Sequence, residues 1–270
     1  MIFVFLERGA VKYLIGDMVA KSVSYNVYIC KDGDGGQYLL QIATNIEYNG
    51  ELDRAAYILR ELKRVSNSYE LEYAKLFPDK RLNYDRLFPI LVDSFICNEQ
   101  GGRRINILAL KDVDSIYKML PLSNLLVKDK LRITLETSGW IMGRLLKLIS
   151  FVHPQGISFR QLDGNNVLIG LEQHHLVVFD WLLSHSYQDV VPIEVRKDDI
   201  SNAAKAVFIA IGGDIRSGNY VYGEQNQYIK FLWGLVCRQE SDAERAHEQF
   251  YEVVYGLFGR KFYPSKILPL

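Results

Sequence analysis

The chain is poor in cysteine. Its three thiols, Cys30, Cys97 and Cys237, are far apart in 270 residues and form neither a CxxC pair nor a cluster with histidine, so neither a disulfide framework nor a thiolate zinc site is expected. It also lacks an excess of either charge. Lys plus Arg and Asp plus Glu number 32 each, which gives nucleic acid or an anionic membrane no general field to follow. Long apolar runs are missing too: Met1-Ile-Phe-Val-Phe-Leu gives way at once to Glu7 and Arg8, too short for a signal peptide or a membrane span. These absences lead to the expectation of a soluble, cytoplasmic protein with buried, reduced thiols and no membrane or nucleic-acid partner. Apolar side chains are plentiful at 49%, enough core for one large domain or two lobes.

In chain order, residues 11–18 and 22–31 read as two strands, because β-branched and aromatic residues alternate through Val23-Ser-Tyr-Asn-Val-Tyr-Ile. Lys31-Asp-Gly-Asp-Gly-Gly is a tight turn suited to positive φ, and 37–43 returns as a third strand. Residues 49–65 place Leu52, Ala55 or Ala56, Leu59 and Leu62 on one side of an amphipathic helix. Residues 66–86 are polar and aromatic, with Pro78 stopping any long helix. Two further strands follow at 90–97 and 104–110, joined by Asn98-Glu-Gln-Gly-Gly. A short helix at 115–120 ends at Pro121, and 128–152 carries a buried stripe at Ile141, Leu145, Leu148 and Val152. Asp198 opens an apolar helix that reaches Ile211. The tail gives a helix over 228–237, a capping box at 241–244 and a helix after it. The basic, aromatic terminus Arg260-Lys-Phe-Tyr-Pro-Ser-Lys is expected to pack its rings on the domain.

Residues 157–183 look most like chemistry. Two β-type runs, 167–171 and 176–179, flank a turn at His174 and His175, and Asp163, Asn165 and Asn166 precede the first run while Asp180 follows the second. Such hard oxygen donors suit a divalent cation or groups that hold phosphate.

Arg160, Asn166 and Asp180 also fall on the pattern His-Arg-Asp-x-x-x-x-Asn, hairpin, Asp-Phe-Gly, so that this segment resembles the catalytic loop and metal-binding segment of the protein kinase superfamily. Phe159 stands where that family has His, Gln161 where it has the catalytic Asp, and Trp181-Leu182 where it has Phe-Gly. The resemblance implies an α+β, bilobal protein kinase-like fold. A five-stranded antiparallel lobe with one helix would span 1–111, and a mainly helical lobe 112–270. His153 then falls at a helix end as a structural histidine, and Asp199 or Asp198 would brace the catalytic loop.

The same resemblance implies damaged chemistry. The first turn offers only Gly16 where the family has a glycine-rich loop; Gln41 aligns with the nucleotide-binding Lys, and Ala55 with its helix Glu. For ATP and Mg²⁺ the expected contacts are Gln41, Lys21 and Asn166 on the nucleotide and Asn166 with Asp180 on the metal. Asp163, beside the degenerate Gln161, would be a substitute acid–base group. The short stretch 184–197 gives no platform for a peptide substrate. The first expectation is a pseudokinase-like regulatory module that binds another protein. The alternative is an atypical phosphotransferase or nucleotidyltransferase using Asp163, Asn166 and Asp180. A small-molecule kinase of the aminoglycoside-phosphotransferase kind stands behind both, since Gln161 replaces the Asp that family keeps.

Overall fold

The computed structural model describes residues 4–8, 11–224, 226–260 and 263–270. The first three residues, and Lys261 and Phe262 of the basic, aromatic terminus, lie outside them. The chain divides into two units, Met1–Lys118 with Asp180–Leu182, and Met119–Phe179 with Leu183–Leu270. The first thus runs a little beyond residue 111 and takes in three residues from the end of the hairpin.

Unit 1 is built on strands β1 (Val4–Arg8), β2 (Val11–Lys21), β3 (Tyr25–Lys31) and β4 (Gln37–Ala43), helix α1 (Asn49–Leu76), and strands β5 (Ile90–Cys97) and β6 (Arg103–Ala109). All pairs are antiparallel, in the order β1-β2-β3-β4-β6-β5. The five expected strands are therefore present, with β1 added at the edge. The β3–β4 turn rests on Asp32, whose carboxylate accepts Asp34 N, Gly36 N and the Tyr38 hydroxyl.

Side chains alternate across the sheet. Leu40, Ile42, Cys30, Ile105 and Ile107 join Tyr13, Phe95 and Cys97 in one apolar layer. Gln41 pairs in register with Val27 and Asn106 on the other face, where α1 packs. Leu52, Ala55, Ala56, Leu59 and Leu62 of α1 are each at most 2% exposed, the i, i+3, i+4 stripe that the sequence shows. Burial of each large one contributes about 1.5–3 kcal/mol. The helix continues past Val65, a correction to its expected end. Its last turns bury nothing after Ser66, but Glu70 accepts Leu82 N and Asn83 N, and Tyr73 packs on Phe77 at 4.9 Å.

Unit 2 contains β7 (Leu120–Pro121), α2 (Leu122–Val127), β8 (Leu131–Ile133), α3 (Leu135–Val152), β9 (Ile157–Ser158), β10 (Val167–Gly170), β11 (His175–Val178), β12 (His185–Ser186), α4 (Ile193–Ala210), α5 (Gln227–Val236), α6 (Ala243–Phe258) and β13 (Ile267–Pro269). Its core lies where α3 meets α4 and α6; Ile141, Leu145, Leu148 and Val152 of α3 and Ile200, Ala203 and Val207 of α4 are all fully buried. Gly143 is needed at the α3–α6 crossing, where an added Cβ would stand 3.0 Å from the Tyr251 hydroxyl and 3.2 Å from the Phe250 ring.

Several expected boundaries are corrected. Residues 115–120 form only a 3₁₀ turn at Ile116–Lys118. Residues 128–134 are not helical, because β8 pairs with the tail strand β13 and Thr134 caps α3 by accepting Thr137 N. Helix α4 begins at Ile193, after Pro192, so Asp198 and Asp199 lie inside it and neither is its cap. The cap of α6 is Asp242, which accepts Glu244 N and Arg245 N, in place of Ser241.

Candidate functional site

The hairpin expected at 157–183 forms from β10 and β11, with Val167 opposite Val178 and Ile169 opposite Leu176. All four side chains are buried, and so are their neighbours Val177 and His175 on the other face. The polar residues flanking the hairpin fall in different units: Gln161, Asp163 and Asn166 in unit 2, Asp180 in unit 1.

In unit 2 the loop before β10 is held from below. Asp199, fully buried in α4, accepts Phe159 N at 3.0 Å and Arg160 N at 3.2 Å, and His153 Nε2 lies 3.1 Å from the same carboxylate. Asp199 is therefore the brace and His153 the structural partner that ends α3. Asp198 is exposed and pairs with Arg238 at 3.1 Å. Arg160 takes a left-handed backbone, φ 62°, which is unfavourable for a residue with a Cβ and is held there by the bond from its N–H to Asp199.

The loop itself is closed on its own polar groups. Asp163 Oδ1 accepts Asn165 N at 2.8 Å and Asn166 N at 3.2 Å, and its Oδ2 accepts Gln161 Nε2 at 3.2 Å. Asn166 Nδ2 donates to Gln161 O at 3.0 Å. Helix α2 anchors the far side, with Ser123 N donating to Gly164 O and Ser123 Oγ to Asn165 Oδ1. The expected acid–base group and the expected metal ligand of this unit thus both act as turn-forming hydrogen-bond partners.

In unit 1, Asp180 receives the Tyr25 hydroxyl on Oδ2 at 2.7 Å and Leu182 N on Oδ1 at 2.9 Å. Burial, then the charge of Asp180 and the hydrogen bond to it, pushes the Tyr25 hydroxyl well above the ordinary tyrosine range. It stays a donor at any physiological pH. The two residues after Asp180 are fixed as well: Trp181, 1% exposed, packs edge-on against Phe88 at 6.3 Å, and Arg54 Nη2 of α1 donates to Leu182 O at 2.8 Å.

Gln41 is 2% exposed, on the α1-facing side of β4. Ala55 is buried in α1, and Lys21 is exposed at the end of β2. Where a kinase joins strand and helix by a Lys–Glu ion pair, α1 is joined to this sheet mainly by amides. Asn106 Nδ2 donates to Leu52 O, and Ser94 Oγ donates to Asn106 Oδ1. Asn49 donates to Gly102 O and accepts Arg104 N, and Arg104 pairs with Asp53 at 3.0 Å.

Sequence reasoning missed Tyr25, Asn106 and Arg54. Each bonds to a residue 54 to 155 positions away, or 128 for Arg54, so no local spacing marks it. As to Mg²⁺, each donor is described within its own unit: Asp180 accepts the Tyr25 hydroxyl on Oδ2 and Leu182 N on Oδ1, and Asn166 donates its Nδ2 to Gln161 O, its amide oxygen being the atom that would meet a cation.

No protein-family model matches this sequence, and no curated protein does. Solved structures match in shape. One described as "Structure of vaccinia related kinase 3" superimposes with a TM-score of 0.68 at 9% identity, over 94% of this chain and 90% of that one. At that identity the likeness speaks for the fold alone: the chain has a protein kinase-like α+β fold, with an antiparallel sheet and helix first and a mainly helical part after it. Among the described residues, no helix is long and apolar enough to cross a membrane.

Proposed function

We propose that this protein is a non-catalytic member of the kinase-like fold, a pseudokinase that works as a regulatory module by binding another protein. The observation that carries this reading is the state of the loop at residues 160–166. Gln161 stands where a kinase keeps its catalytic carboxylate, and the nearest carboxylate, Asp163, is engaged by Gln161 Nε2, Asn165 N and Asn166 N. A carboxylate tied into its own turn through both oxygens must give up one of those bonds before it can take a proton from an attacking hydroxyl. The missing strand–helix ion pair agrees with this, because Gln41 and Ala55 leave no cation on the nucleotide. Binding surface is available: Tyr69 and Leu76, seven residues apart on one face of α1, are 42% and 74% exposed, and exposed apolar surface of this kind can mark an interaction site.

The test uses the full chain. Incubation with labelled ATP and Mg²⁺ is expected to transfer neither phosphate nor AMP to the chain or to small acceptors, while thermal melting with ATP, with and without Mg²⁺, reports whether a nucleotide is held at all. Stabilisation by ATP without transfer would describe a module that retains nucleotide. Transfer that Asp163→Asn removes would replace this reading with the phosphotransferase or nucleotidyltransferase that uses Asp163, Asn166 and Asp180.

A further inference from the structure

We propose that Tyr25 stands in for a metal ion at Asp180, its hydroxyl holding the Asp180 carboxylate in place so that the segment Asp180–Leu182 is ordered on unit 1 with no divalent cation. The inference deepens the non-catalytic reading and rests on it.

Each of those three residues is secured by a contact within unit 1. Tyr25 OH meets Asp180 Oδ2 at 2.7 Å, Trp181 packs on Phe88, and Arg54 Nη2 meets Leu182 O at 2.8 Å. The first, like the bond from Leu182 N to Oδ1, falls on the carboxylate that a metal would use. A hydrogen bond of this length from a hydroxyl to a carboxylate is charge-assisted and about twice as strong as one between neutral groups. It is also buried on the donor side, since Tyr25 is 8% exposed.

The strand register places Tyr25 for this task. Tyr25 pairs with Ala43 and Val27 pairs with Gln41, so Tyr25 lies one step along the α1-facing side from the position where a kinase keeps its lysine. Gln41 brings no charge to Asp180, and Tyr25 brings a donor instead. Mg²⁺ requires near-octahedral oxygen ligands and sheds its water reluctantly, so it must displace this hydroxyl to reach Oδ2.

The experiment is thermal melting of the full chain as wild type, Tyr25→Phe, Asp180→Asn and the double variant, each with no divalent ion, with Mg²⁺ alone and with Mn²⁺ alone. Phe keeps the ring and Asn keeps an acceptor, so both variants are built to fold. Without metal, Tyr25→Phe is expected to lower the melting temperature by about 4–10 °C, and the double variant to lose clearly less than the sum of the two single losses. Wild type is expected to ignore both ions. Tyr25→Phe, in which Asp180 Oδ2 has lost the phenol, is expected to recover part of its loss on adding Mg²⁺ or Mn²⁺, and the double variant is not. Strictly additive losses, or a wild type stabilised by Mg²⁺ through Asp180, would overturn the proposal. Neither result depends on transfer activity, so it can fail while the non-catalytic reading stands, and the reverse.

Discussion

Asp85 is 6% exposed and lies between two ammonium groups, Lys63 Nζ at 2.6 Å and Lys111 Nζ at 2.9 Å from each oxygen. Burial alone would raise its pKa, but the hydrogen bonds and charges of Lys111 and Lys63 outweigh it and hold the carboxyl below the usual range. A carboxylate with a depressed folded pKa stabilises the fold above its unfolded pKa of about 3.9, and that contribution is lost as pH falls through the lower folded value. Asp85→Asn is therefore expected to cost about 1–3 kcal/mol at pH 7, discounted from a fully buried pair because both lysines are partly solvated. The difference from wild type should begin to narrow below about pH 4 and close as pH falls through the folded value. Urea unfolding at pH 7 and at steps downward from pH 4 measures it, and a difference that does not narrow as the pH falls would assign the loss to packing. No local spacing marks this cluster: Lys111 reads as a lobe boundary until Asp85, 26 positions earlier, is seen beside it.

Helix α1 shows what element-scale reading reaches and where it stops. Its apolar stripe, Leu52 to Leu62, is legible because burial repeats with the helical period. Its anchor is not, because Asn106 reaches Leu52 O from a strand 54 positions later. The same limit hid β8, which is a strand only because β13 arrives from the end of the chain to pair with it. The hairpin at 157–183 was easier, since both strands and their turn are local and two short apolar runs flank a polar turn. Asn106→Leu tests the anchor. It keeps the volume but leaves the buried Leu52 carbonyl without its amide, and the expected loss is about 1–3 kcal/mol. Hydrogen exchange should localise it: amides in the first turns of α1 are expected to exchange faster, and those of α3 in unit 2 to keep their protection. Equal loosening of both helices would mean that Asn106 supports the whole fold and not this one junction.

At the scale of the whole molecule, the division into units places Trp181 with the sheet, although the residues before and after 180–182 belong to the helical unit. The chain has three tryptophans, and the other two, Trp140 and Trp233, lie in unit 2. With both replaced by Phe, emission reports Trp181 alone. The thiols supply a second reporter. Cys30 and Cys97 are buried in unit 1 and Cys237 is exposed in unit 2. Burial and then the charge of Asp32 push the Cys30 thiol up to about 12, and burial, then the hydrogen bond to Glu99, raises that of Cys97. Thiolate is the reactive form, so a disulfide reagent is expected to label one cysteine per native chain, Cys237. As denaturant is added, Cys30 and Cys97 should become reactive over the same range in which Trp181 emission shifts to the red. Coincidence is required if Asp180–Leu182 is part of unit 1, because Trp181 then leaves Phe88 only when the sheet that buries both thiols opens. A red shift that precedes thiol exposure would show that the segment detaches on its own and that Tyr25, Phe88 and Arg54 hold it only weakly.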